Sequence, residues 1–167
     1  VGEDAEKASR IAGRILGEFL GGRGEIAVIA STSAMRAGTY FLKVRESGFL
    51  RYMQEHFPEI HVAECLPSQE NPAMVYQTTL ALLRRRPGLQ GLYVVGGGVR
   101  EVGRAIRESA PGRPLKVVCF EDYPEILELL REGIVTCTIN SSTVRQGELP
   151  VKILLDYLMQ DERPQEH

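Results

Sequence analysis

Apolar residues along this chain switch repeatedly between two spacings, and that alternation restricts the fold more than any single motif does. Ala8, Ile11, Ala12, Ile15, Leu16, Phe19 and Leu20 follow the i, i+3, i+4, i+7 stripe of an amphipathic helix. Asp4 is placed to cap its start, and Gly21-Gly22 to stop it. Glu25 to Ala30 is then an apolar run of strand length. A second helix carries Phe41, Val44, Gly48, Phe49, Tyr52, Met53 and His56 on one face and ends before Pro58. A strand over 60–65 precedes a third helix, which Asn71-Pro72 opens as cap and first-turn proline. The pattern continues with a strand at 92–95, a helix over 98–109 and a strand over 115–120. A short helix near 124–131, a strand at 134–139 and a helix over 144–158 complete it. Strict alternation with short connections requires βαβ crossovers. The fold class is therefore α/β, a mainly parallel sheet with helices on both faces.

Charge narrows the partners. The 20 Lys+Arg and 22 Asp+Glu among 167 residues leave a formal charge of −2, without the cationic excess that neutralises nucleic-acid phosphates. No run of about 18 apolar residues occurs, so no segment reads as a membrane-spanning helix. Cys65, Cys119 and Cys137 cannot all pair with one another, and each lies in an apolar run, where a buried thiol behaves as a small hydrophobe. They point to a reducing, cytoplasmic location. The opening Val1-Gly2-Glu3-Asp4 has neither an initiator Met nor an apolar leader, which reads as a piece cut from a longer chain. The polar tail over 161–167 is expected to fray.

Ligands of open α/β sheets bind beyond the carboxyl ends of the strands. There the sequence places Ser31-Thr32-Ser33, a loop from Leu66 to Glu70 that includes Gln69, Gly96-Gly97-Gly98, Glu121-Asp122-Tyr123 and Asn140 to Thr143. Hydroxyls, amides and carboxylates at one sheet end suit a neutral polyhydroxyl ligand, since they both donate and accept hydrogen bonds. Taken singly, each is an ordinary cap or turn residue. The three glycines do not make a dinucleotide fingerprint, because Gly98 is followed only by Gly103, and they read as a tight turn. No nucleophile elbow, no histidine beside a candidate nucleophile and no metal-ligand spacing is present, so neither catalysis nor a cofactor is expected. Glu121 and Asp122 are adjacent and are expected to diverge rather than share a proton. Arg84-Arg85-Arg86 reads as a solvated helix end facing the dipole.

Several segments in order resemble the type I periplasmic-binding-protein fold. They are Arg45-Glu46-Ser47-Gly48-Phe49 as R-x-x-G-F, Arg86-Pro87-Gly88-Leu89-Gln90-Gly91-Leu92-Tyr93, Val117-Val118-Cys119-Phe120-Glu121 as V-V-G-F-D, Leu130 to Asn140, and Gln146-Gly147. The resemblance, which runs from about residue 8 to residue 159, is to the effector-binding cores of lactose-repressor-like regulators and to sugar-binding proteins of transporters. It implies a two-lobed ligand-binding core with residues 1–121 in the C-terminal lobe and 122–160 returning to the N-terminal lobe. It also implies that Arg45 forks onto ligand hydroxyls, that Phe120 stacks and Glu121 accepts, and that Asn140 supplies a hinge amide. Gly96 and Gly97 stand where many members place a ligand-gripping Asn or Asp. The functional expectation is the sugar-like effector-binding portion of a regulator, without a chemical step, its DNA contacts lying in a domain outside this chain. The alternative is a transporter's sugar-binding component, and a Rossmann-like nucleotide-binding enzyme is third. Ile134, Ile139, Val151, Leu154, Leu155 and Leu158 need cover, so a homodimer or a swapped arrangement is expected.

Overall fold

Because successive side chains of a strand point to opposite faces, the short buried strands split the apolar residues into two cores. A computed structural model describes residues 2–30, 40–68, 71–109 and 111–160. Within them β1 (Arg23–Ala30), β2 (Glu59–Pro67), β3 (Gly91–Val94), β4 (Lys116–Phe120) and β5 (Cys137–Ile139) form one parallel sheet in the order β2-β1-β3-β4-β5. On one face Ile26, Val28, Tyr93, Val118 and Phe120 meet α1 (Ala5–Phe19) and α2 (Tyr40–His56). On the other Ala27, Ile29, Leu92, Val117 and Cys119 meet α3 (Pro72–Arg85), α4 (Val99–Ser109) and α5 (Pro124–Arg131). The expected doubly covered α/β sheet is the one found.

Local chemistry sets the element ends. The Asp4 carboxylate accepts from the Lys7 N–H at 2.9 Å and the Asn71 side chain from the Met74 N–H at 3.2 Å, so both expected caps are in place. Gly98, at φ 94°, turns the chain from β3 into α4, and an added Cβ there would sit 2.9 Å from Val75.

Four expectations are corrected. The inward face of α2 carries Leu42, Arg45, Gly48, Phe49 and Met53, while Phe41 and His56 are exposed. Hydropathy misplaces this face because its second member is an arginine. The strand expected over 134–139 is shorter: Ile134 and Val135 both donate to the Leu129 carbonyl (3.0 and 3.1 Å), closing α5 over Gly133 at φ 75°, and β5 starts only at Cys137. Arg85 and Arg86 are not simply solvated, since both bind Glu64 of β2 (2.8 and 3.2 Å) and Arg86 also reaches Glu25 of β1 (3.3 Å). Cys65 is exposed on β2, the edge strand, rather than buried.

Packing runs unbroken through residue 121, where the sequence places a lobe boundary, because Ile126, Leu129 and Val135 share a core with β1, β3 and β4. α6 (Thr143–Gln160) buries no residue, and Val151, Leu154, Leu155 and Leu158 form an exposed helical stripe on it.

Candidate functional site

Beyond the carboxyl ends of β3 and β4 lies a cleft of about 350 Å³. Its walls come from both helical layers, Phe41, Leu42 and Arg45 on α2 facing Tyr123, Glu125 and Ile126 at the start of α5. The floor is the turn Gly96-Gly97-Gly98 together with Phe120 and Glu121. This is where an open parallel sheet offers free loop backbone, and its size falls in the range of small-molecule sites.

Arg45 organises the cleft. Only 3% exposed, it needs partners for its five N–H donors, since an unpaired buried charge is costly. Nε donates to Glu3 Oε1 at 2.9 Å, Nη2 to Glu3 Oε2 at 2.5 Å and Nη1 to the Val95 carbonyl at 3.1 Å. The guanidinium also lies 3.6 Å from the centroid of the Phe120 ring, close enough for cation–π attraction. Glu121 Oε1 stands 3.9 Å from Nη2. Arg45 therefore sits in the cleft wall with its position set by four neighbours.

Glu121 has φ 75°, a left-handed conformation uncommon for a side chain of its size. β5 holds it there: the Glu121 N–H donates to the Ile139 carbonyl at 2.9 Å, and the Thr138 hydroxyl donates to the Glu121 carbonyl at 2.5 Å. Such strain persists only where surrounding structure over-determines it. Burial raises the Glu121 carboxyl above its ordinary range, Arg45 opposes this, and Glu3 and Asp122 add to it. Asp122 turns the other way and accepts from the Asn140 amide, so the two neighbouring carboxylates diverge as expected. The Asn140 amide oxygen accepts from the Ser142 N–H at 2.6 Å.

Of the residues expected at the site, Arg45, Phe120, Glu121, Gly96 and Gly97 meet in the cleft. Asn140 stands beside it on the chain leaving β5, linked through Asp122. Ser31 and Gln69 lie outside the described residues. Phe120 is 1% exposed and presents a ring face to Arg45. The accessible aromatic surface belongs to Phe41 (47% exposed) and Tyr123 (60%), neither singled out in the sequence as a ligand contact. Their signal was an aromatic at each of two helix starts. Glu3 carried no such signal, its pairing with Arg45 spanning 42 residues. Among the described residues no His/Cys/Asp/Glu group could hold a metal, and no helix is long and apolar enough to cross a membrane.

The periplasmic binding protein domain family matches residues 1–162. The chain belongs to that family. No curated protein matches it significantly. Among solved structures, an ABC transporter solute-binding protein from Burkholderia graminis in complex with D-arabinose is 26% identical, with a TM-score of 0.85 over 98% of this chain and 56% of its own. A sugar-binding protein of a sugar ABC transporter from Bacillus halodurans is 24% identical, with a TM-score of 0.87 over 98% of this chain and 55% of its own. GanP, a glucose-galactose binding protein from Geobacillus stearothermophilus, shares the fold at 18% identity, with a TM-score of 0.84 over 98% of this chain and 57% of its own. This periplasmic binding protein domain thus spans a little over half the length of those relatives.

Proposed function

We propose that this chain is a lobe of a transporter's sugar-binding protein, closing with a second lobe over the cleft beyond β3 and β4. The observation that carries the reading is the chemistry gathered in that one cavity. It holds a fixed guanidinium, a Glu121 carboxylate able to accept, and two exposed rings, Phe41 and Tyr123. Sugar hydroxyls take in-plane donors and acceptors, and the C–H face of a sugar ring takes an aromatic wall. The likeness to a D-arabinose-bound relative supports a pentose or hexose as ligand. Because the similar proteins are transporter components, the regulator reading of the sequence gives way to its alternative. The expected location moves from the cytoplasm to the outer side of the membrane. In this reading the return to the second lobe follows Asn140 and α6 belongs to that second lobe, which is supported by α6 burying no residue here. Binding and lobe closure are the whole activity, with no chemical step.

A melting-temperature screen of the intact protein against neutral pentoses and hexoses tests this. A ligand present at about 100 times its Kd adds about 2.7 kcal/mol to stability, a rise on the order of 5–10 °C for a domain of this size. A panel in which no sugar raises the melting temperature contradicts the reading.

A further inference from the structure

A guanidinium recognises a carboxylate best through two parallel N–H bonds from one edge. In Arg45 the edge formed by Nε and Nη2 is already filled by both oxygens of Glu3, at 2.9 and 2.5 Å. Nη1 is engaged by the Val95 carbonyl, and what remains of Nη2 faces Glu121 at 3.9 Å. The other cation lining the cleft, Arg100, pairs with Glu101 at 3.2 Å and leaves its side chain 73% exposed. Against these two arginines stand Glu101, Glu121 and Glu125 in the lining, with Glu3 behind Arg45. Among the described residues no charged or hydrogen-bonded partner of Glu125 occurs, and Glu121 has only the long contact to Arg45. Among the described residues, every cation lining the cleft is thus matched by a carboxylate, and further carboxylates are left over.

Resting on the sugar-binding reading, we infer that Glu3 is a specificity-determining residue: by filling the carboxylate-recognising edge of Arg45 it restricts the cleft to neutral sugars and excludes uronates and sugar phosphates. Arg45 keeps donors for hydroxyls, which need one hydrogen bond each and bring no charge. An anionic group entering the same space finds no open fork and meets the Glu121 and Glu125 carboxylates, a repulsive element of the kind that builds specificity. Glu3 touches Arg45 rather than the ligand, so it acts by tuning the residue that does.

Calorimetric titration of the intact protein with neutral pentoses and hexoses, the corresponding uronates and hexose 6-phosphates decides this. The tightest neutral sugar is expected to bind at least about tenfold more tightly than the tightest anionic one. Glu3→Gln keeps an acceptor oxygen for Arg45 while removing the charge, and is expected to narrow that ratio about fivefold or more. A preference below tenfold in the unmodified protein overturns the inference without any variant having to fold. An unchanged ratio in a folded Glu3→Gln protein overturns the role given to Glu3. Binding of anionic sugars alone overturns the charge selectivity but leaves sugar binding standing, whereas binding of no sugar of either kind overturns the functional reading itself.

Discussion

At the scale of single residues, R-x-x-G-F is three separate physical requirements in five positions. Arg45 points into the cleft, Gly48 lets α2 approach α1 so closely that a Cβ would lie 2.2 Å from Ser9 Oγ, and Phe49 stacks on Tyr93 with ring centroids 4.0 Å apart. The spacing was legible in the sequence, but the orientation was not. A hydropathy pattern turns arginine outward, and partners distant in sequence, above all the carboxylate of Glu3 and the Val95 carbonyl, make an inward Arg45 tolerable. Tyr93 shows the reverse case, a polar group with nothing to bond. Its hydroxyl is buried among the described residues without a hydrogen-bond partner, and burial drives its pKa far above the ordinary phenol range. Removing a buried, unsatisfied group relieves its desolvation cost. Tyr93→Phe is therefore expected to raise stability by about 1 kcal/mol in urea unfolding. A loss of similar size would mean that the hydroxyl is bonded after all.

Elements were the most legible level, because the periods 3.6 and 2 survive many substitutions on either face. The alternation in the sequence located each of the helices and strands described, and both side-chain caps fell where Asp4 and Asn71 stand. The one strand much overextended begins at Ile134, because Ile134, Val135 and Thr136 are all β-branched and so read as sheet. Hydrogen bonds to the Leu129 carbonyl hold Ile134 and Val135 in the α5 terminus instead, and only from Thr136, whose N–H donates to the Val117 carbonyl of β4 at 2.8 Å, does the chain join the sheet. Helix packing carries its own test. Gly103 of α4 lies against Leu129 of α5, where an added Cβ would approach Leu129 Cδ2 to 2.4 Å, whereas the corresponding position at Gly147 of α6 meets nothing within 4 Å. Gly103→Ala should lose about 1–3 kcal/mol by overpacking. Gly147→Ala should cost nothing and gain up to about 1 kcal/mol from helix propensity. Equal effects on thermal melting would contradict the packing of α4 on α5.

For the molecule as a whole, function follows from what the sheet's carboxyl edge brings together. Two helical layers end at the same edge, and their first turns supply opposite walls, Phe41 from one layer and Tyr123 from the other. Strand-end residues such as Glu121 and Gly96 could be named from the sequence because βαβ order fixes which loops share an edge. Tyr123 is placed at that edge with them but without a role, and Phe41 is not placed there, because which residue of a helix's first turn tips into the cleft depends on how the helix rotates against the sheet. The apolar stripe of α6, which none of the described residues buries, fits the proposal of a second lobe beyond Asn140. The most direct test of the cleft is an amide-shift titration of the intact protein with its tightest neutral sugar, followed residue by residue. The largest shifts are expected on Gly96, Gly97, Glu121 and Tyr123 and are expected to vanish in Arg45→Ala. Shifts confined to another groove, such as that between Arg107 and Glu132, or undiminished in Arg45→Ala, would contradict the proposed site.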